Sequence, residues 1–165
     1  MQLLEGKEHE EARRYMERAA EVALSATCER SRCGCVIVKE GEILGEGFNS
    51  PPKGLENQRR CQNDKTQYNP KVTDKTCCVH AEERAILDAL RRSAAKIEDS
   101  QLYFVRLDEA GNIAFSGSPY CTLCSKLALD TGVTEFLLWH ENGITSYGTE
   151  EYNDLSFGYH QEDSH

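Results

Sequence analysis

Between residues 8 and 27, apolar side chains fall at Ala12, Tyr15, Met16, Ala19, Ala23 and Ala26 with charges between them, the spacing of one helix face. The period then changes. CVIVKEGEILGEGF, from 35 to 48, reads as two β-rich runs around Glu40-Gly41, which predicts a hairpin. From 49 to 77 no period holds, and prolines, asparagines and charges dominate. A loop of that length inside a compact domain is usually functional or pinned by something. Helical spacing returns over 79–92 through Ala81, Ala85, Ile86, Ala89 and Leu90. LYFVRL (102–107) reads as a strand, and DEAGN turns into a short second run, IAF. Ser118-Pro119 suits the N-cap and first position of a helix over about 120–131, closed by Gly132. TEFLLW (134–139) is a further strand, followed by a polar tail with scattered aromatics. The order α-β-β-α-β-α-β implies a mixed sheet with helices on its faces.

A chain of 165 residues fits one domain, 1–165, with its core at about 10–140 and an extension over 141–165. No run approaches the roughly 18 apolar residues of a membrane span. MQLLEGKEHEEARRYM is charged from residue 5 onward and shows no signal peptide, so a cytoplasmic location is expected. Structural disulfides are uncommon there, and eight cysteines invite a metal reading instead. A formal charge of −9 argues against a polynucleotide partner, which needs a basic face. It leaves room for a small anion held by a few local arginines.

Two stretches carry the chemistry, CVHAEERAI (78–86) and SGSPYCTLCSK (116–126). His80, Cys121 and Cys124 offer one nitrogen and two sulfurs, a donor set that suits zinc. The Cys-x-x-Cys falls at a predicted helix start, where free N–H groups and the helix dipole favour thiolates. Three protein donors leave the fourth tetrahedral position to water, as in catalytic zinc sites. Glu82, two residues past His80, is too close along a helix to be a comfortable fourth ligand. It is placed to take and return a proton of that water.

His-Ala-Glu followed by Pro-x-Cys-x-x-Cys resembles the zinc-dependent cytidine and deoxycytidylate deaminase superfamily. GFNSPPKG (47–54), SATCERSRCGCVIV, HAEERAI and CSKLALDTGVTEFLLW resemble segments of the deoxycytidylate deaminases, so the likeness spans roughly residues 10–140. The resemblance implies a three-layer α/β/α fold of the cytidine-deaminase type with a mixed five-stranded sheet, and a homo-oligomer. It implies hydrolytic deamination of a cytosine nucleotide, dCMP to dUMP, with Glu82 as the proton carrier and ammonia as the leaving group. Asn49 would contact a sugar hydroxyl, Ala81 and Arg84 would lie at the substrate, and Arg91 would hold the 5′-phosphate. Helical geometry returns Arg91 to within about 20° of the His80 face. A second, structural zinc would lie on Cys28, Cys61 and Cys77, with Cys78 or a distant histidine as the further ligand.

Bland readings stand beside these. Asn49 also reads as a turn residue after a strand, and Arg91 as a surface arginine on an amphipathic helix. Cys33 and Cys35 read as small core hydrophobes. Tyr147, Tyr152, Phe157 and Tyr159 either pack on the body or cover the base. The sequence departs from the family pattern at Tyr120, inserted between proline and cysteine, at Arg84 in place of asparagine, and at Ser50 in place of glycine. The spacing from His80 to Cys121 is also long. These positions keep open a deaminase of another pyrimidine or small heterocycle, and, without Glu82, the pattern would fit a non-catalytic zinc module.

Overall fold

The computed structural model describes residues 1–72 and 74–159. In chain order its strands and helices are β1 (Gln2–Leu3), α1 (Gly6–Ala23), β2 (Arg32–Lys39), β3 (Glu42–Phe48), α2 (Ala81–Ser93), β4 (Ser100–Leu107), β5 (Ile113–Ala114), α3 (Thr122–Asp130), β6 (Val133–His140), β7 (Gly143–Gly148) and α4 (Thr149–Phe157). They form a single sheet of order β1-β7-β6-β4-β2-β3, with β5 paired to β4. Among the described residues only β4 and β6 run parallel, because helix α3 carries the chain back between them.

The sheet has seven strands among the described residues, where five were expected. The additional pair is β1 and β7, which hydrogen-bond to each other at one edge. β1 is two exposed residues and has no pattern to read. In β7, GITSYG buries Thr145 beside Ile144 and Tyr147, so a strand passes for part of a polar tail. Helix α4 follows at once and buries Tyr152.

Strand alternation sorts the core into two layers. Val36, Val38, Tyr103, Val105 and Leu137 pack against Ala12, Met16, Ala19 and Ala23 of α1. Cys35, Ile37, Leu102, Phe136 and Leu138 face α2, α3 and α4 through residues such as Ile86, Ala128 and Tyr152. Each fully buried Ile, Leu, Met or Phe contributes about 1.5–3 kcal/mol. The three-layer α/β/α arrangement is the expected one. Cys33 and Cys35 sit in the second layer as small apolar fillers, and burial pushes the Cys33 thiol up to about 12.

Helix α2 lies unusually close to β3. A Cβ added at Gly45 or Gly47 would overlap the backbone of α2 at Ala85 and Ala89 or at Ala81 and Ala85. Alanines on the helix and glycines on the strand therefore set the height of α2 above the sheet.

Candidate active site

Two helix starts converge. His80 is the N-cap of α2, and its backbone N–H donates to Oε2 of Glu83 at 2.9 Å, half of a capping box. Glu83 thus caps the helix while Glu82, one residue earlier, turns inward and is 4% exposed. Cys121 is the N-cap of α3, its sulfur accepting from the Cys124 N–H at 3.3 Å. The helix therefore begins after the cysteine and not at Ser118-Pro119. Backbone N–H donors at the cap stabilise a thiolate and outweigh the ordinary Ser-Pro start signal.

His80 Nδ1 lies 3.2 Å from the sulfurs of both Cys121 and Cys124, which are 2.8 Å apart. Bonds of about 2.0–2.3 Å to a tetrahedral zinc would place the nitrogen about 3.5 Å from each sulfur and the two sulfurs about 3.7 Å apart. Seating the ion thus needs a few tenths of an ångström at His80 and about 1 Å of further separation between the thiols. The donor set fits. Among themselves the three groups share protons. Hydrogen bonding to Cys121 holds His80 up near 9, and the hydrogen bond from Cys124 holds Cys121 down near 5. A divalent cation takes the place of that shared proton. Burial pushes Glu82 up to about 7, and the negative charge on Cys121 pushes in the same direction.

Asn49, His80, Ala81 and Glu82 line one cavity together with Phe104 and Tyr120. Asn49 also ties that wall together: its Oδ1 accepts from Cys33 N at 2.9 Å and its Nδ2 donates to Ser31 O at 3.0 Å. One N–H and one lone pair remain for a ligand. Tyr120 is half exposed at the cavity, and the Tyr159 ring lies 5.7 Å from it. Tyr147 and Tyr152 are core residues, while Phe157 is exposed.

Neither Arg84 nor Arg91 lines this cavity. Arg84 donates to the carbonyl of Pro51 at 2.9 Å and lies over the Phe48 ring, clamping the start of the 49–77 loop onto α2. Burial lowers its pKa. Arg91 is an exposed residue of the last helical turn and does not line the cavity. A shared angular face ignores axial rise: eleven residues carry Arg91 about 16 Å along the helix from His80.

The second cysteine cluster also differs from expectation. Cys28, Cys61 and Cys78 place their sulfurs within 4.8 Å of one another, with Cys78 in the place given to Cys77. Cys77 stays adjacent, 3.1 Å from Cys61 and 3.6 Å from Cys78. Adjacent residues in extended chain point opposite ways, and spacing alone does not say which of two neighbouring cysteines turns inward. Burial pushes the Cys61 thiol up, but hydrogen bonds from the Glu29 backbone, Cys77, Cys78 and Arg59 outweigh it and leave Cys61 near 7. This cluster lines the same cavity as Glu82. Sequence reasoning missed Glu83, whose signal was glutamate at the third helical position, and Phe104, which carried no local signal.

The family model described as the cytidine and deoxycytidylate deaminase zinc-binding region matches residues 9–139, and the chain belongs to that family. Among its relatives, the deoxycytidylate deaminase of Schizosaccharomyces pombe is 27% identical over 84% of this chain and 38% of its own length. That of Saccharomyces cerevisiae is 30% identical over 73% of this chain and 35% of its own length. The chain thus spans well under half of either fungal protein. Among solved structures, the dCMP deaminase of cyanophage S-TIM5 in complex with dCMP and dUMP is 26% identical, with a TM-score of 0.54 over 81% of this chain and 82% of that one. Cytidine deaminase from Burkholderia pseudomallei, 13% identical with a TM-score of 0.56, shares the fold. No helix among the described residues is long and apolar enough to cross a membrane.

Proposed function

We propose that this protein is a zinc-dependent hydrolase that deaminates the cytosine ring of a free nucleotide, converting dCMP and water to dUMP and ammonia. The observation that carries the reading is the convergence of His80, Cys121 and Cys124 beside buried Glu82 in one cavity. The deoxycytidylate deaminases among its relatives support the choice of substrate. Zinc on these three donors supplies the Lewis acidity that makes water a competent nucleophile near neutral pH. Glu82 accepts one proton as the water oxygen bonds to C4 and delivers it to the ring nitrogen. It then takes the second proton from the new C4 hydroxyl and delivers it to the amine, which leaves as ammonia as the C4–N bond breaks and the C4 carbonyl forms. Its raised pKa suits a group that must hold and release a proton at neutral pH. Ala81, on the same wall, gives a small apolar contact beside the ring. Asn49 is the candidate sugar contact.

We assign a second, structural zinc to Cys28, Cys61 and Cys78, with Cys77 adjacent. Clustered free thiols of this kind suit a reducing compartment such as the cytoplasm. The chain acts as a single deaminase domain, since β7 and α4 complete the sheet and core begun by residues 2–140. Exposed Leu87, Leu123 and Leu155 on α2, α3 and α4 support a homo-oligomer, which sedimentation would reveal as a mass above 18.6 kDa.

The decisive experiment offers zinc-loaded protein cytosine, deoxycytidine, CMP, dCMP and other amino-heterocycles, and measures ammonia release. The expected result is turnover of dCMP above all others. Release only from a non-cytosine heterocycle would replace the substrate; release from none would refute an enzyme.

A further inference from the structure

Beyond Tyr120 the catalytic cavity continues into a side compartment of about 90 Å³. The two spaces share Cys33, Phe104 and Tyr120, so Tyr120 stands at their junction. At its outer side the compartment meets Gly117 and Ser118, both exposed. Two hydroxyls line it without a use in the fold. Ser116 Oγ is buried with no partner among the described residues. Tyr152 is 3% exposed, and its phenol likewise has no hydrogen-bond partner among the described residues. A hydroxyl left unpaired inside a protein costs free energy that a donor from a ligand or water recovers. Loose packing does not explain them, because both residues are held from behind. His140 Nδ1 donates to the Ser116 carbonyl at 2.9 Å, and its Nε2 meets the Tyr147 hydroxyl at 2.8 Å. The Tyr147 ring stands edge-on to Tyr152 with centroids 6.2 Å apart, and Tyr152 stacks on Phe136 at 4.1 Å.

The compartment lies at the reacting end of the substrate. Tyr120 directly precedes the Cys121 donor. Burial pushes the Tyr152 phenol up, and the nearby charges of Glu82, Cys124 and Cys121 add to the effect. A cytosine that presents C4 to Glu82 brings its ring nitrogen, its amine and C5 to this end and turns its sugar to the other. Glu82 engages the ring nitrogen, and C5 offers only a C–H. The amine alone brings N–H donors that unpaired hydroxyl oxygens can accept. We propose that the compartment is an amine pocket, which receives the nitrogen leaving C4 and has room for a small alkyl group on it, so that the enzyme also hydrolyses N4-alkylated cytosine nucleotides. This rests on the deaminase reading above. The reaction is the same displacement: N4-methyl-dCMP and water give dUMP and methylamine, with a C4–O bond formed, the C4–N bond broken and both protons carried by Glu82. Space that holds a few water molecules also holds a short alkylamine, and Phe104 and Leu138 give the alkyl group an apolar wall.

The test offers zinc-loaded protein dCMP, N4-methyl-dCMP and 5-methyl-dCMP, and measures the nucleotide product together with the amine released. Wild type should convert N4-methyl-dCMP to dUMP and methylamine in equal amounts. Room for one methyl group in a fitted pocket is worth about ten- to two-hundredfold in specificity. Ser116→Leu fills the compartment, and Ser118→Leu crowds its exposed edge without a change in the core. Each should therefore lower kcat/KM for N4-methyl-dCMP relative to dCMP by about tenfold or more. Calorimetry on Glu82→Gln reads the pocket without turnover: N4-methyl-dCMP should bind as tightly as dCMP, and Ser118→Leu in that background should weaken only the methylated nucleotide. Turnover of dCMP but not of N4-methyl-dCMP by the wild type overturns the amine pocket, as does a ratio that neither leucine variant moves. Loss of 5-methyl-dCMP with N4-methyl-dCMP retained would assign the compartment to C5 and overturn it too. A wild type that does not turn over dCMP overturns the deaminase reading itself.

Discussion

Glu82 and Arg84 lie two residues apart on α2 and face different problems. Glu82 is a buried carboxylate beside thiol donors, with no ion-pair partner among the described residues. Such a group destabilises a fold unless the site needs it. Glu82→Gln should therefore keep metal and fold while lowering kcat by about 10²–10⁴, the usual worth of one proton-transfer group. Loss of zinc in the purified variant would show Glu82 to be a ligand instead. Arg84 acts on the scaffold. It donates to the Pro51 carbonyl, which also accepts from the Gly54 N–H and the Ser50 hydroxyl, and its Nε is buried without a partner among the described residues. Arg84→Ala should cost about 1.5–3 kcal/mol through the lost charge-assisted hydrogen bond that holds the loop start on α2. For a chain of this size that is roughly 3–10 °C in Tm, measurable by calorimetry. A Tm unchanged within a degree would mean that the clamp contributes nothing. The two outcomes separate a catalytic role from a positioning one on the same helix.

At the scale of elements, the site depends on how low α2 sits on β3. Gly47 lies under Ala81 and Ala85, so a methyl there lifts the first turn of α2 and with it His80 and Glu82. Gly34 lies under Ala19 and Ala23 of α1, on the opposite face. Overpacking costs typically 1–3 kcal/mol at either position. Only Gly47→Ala should also weaken zinc binding, by competition against a chelator; equal zinc affinity in the two variants would detach the glycine packing from the site. The β-rich run of β2, the period of α2 and the Cys-x-x-Cys were legible in the sequence, because each is a local pattern. The capping glutamate was legible in principle. β7 and α4 were not, since Thr145, Tyr147 and Tyr152 are buried by partners distant in sequence. Nor was the choice between Cys77 and Cys78, which turns on the direction of two adjacent side chains at the end of an irregular loop. Nor was the distance of Arg91 from the cavity, because a helical wheel counts angle and not rise.

Across the whole molecule, the segment from 50 to 77 is the part with least reason to hold its shape. It contains three single-turn 3-10 helices, and among its described residues only Pro51, Ser50 and Cys61 are buried. Hydrophobic burial cannot order it. Closing a loop of that length costs entropy that grows slowly with length, so one strong cross-link placed well is enough. Cys28 comes from the turn before β2, Cys61 from the middle of the loop and Cys78 from its end, and their sulfurs meet. Metal bound there closes both intervals at once, because a thiolate site formed on folding contributes its binding free energy to the fold. Protein purified without chelator should accordingly contain two zinc ions per chain, and Cys61→Ser should contain one, still held by His80, Cys121 and Cys124. Trypsin should then cut Cys61→Ser first at the lysines and arginines between 59 and 75, at a protease level that leaves the wild type whole. Cleavage should be at least tenfold faster, as expected when local opening becomes easier by about 1.4 kcal/mol. A wild-type count of one zinc per chain would remove the second ion, and equal cleavage rates would show that the loop is held by something other than its cysteines.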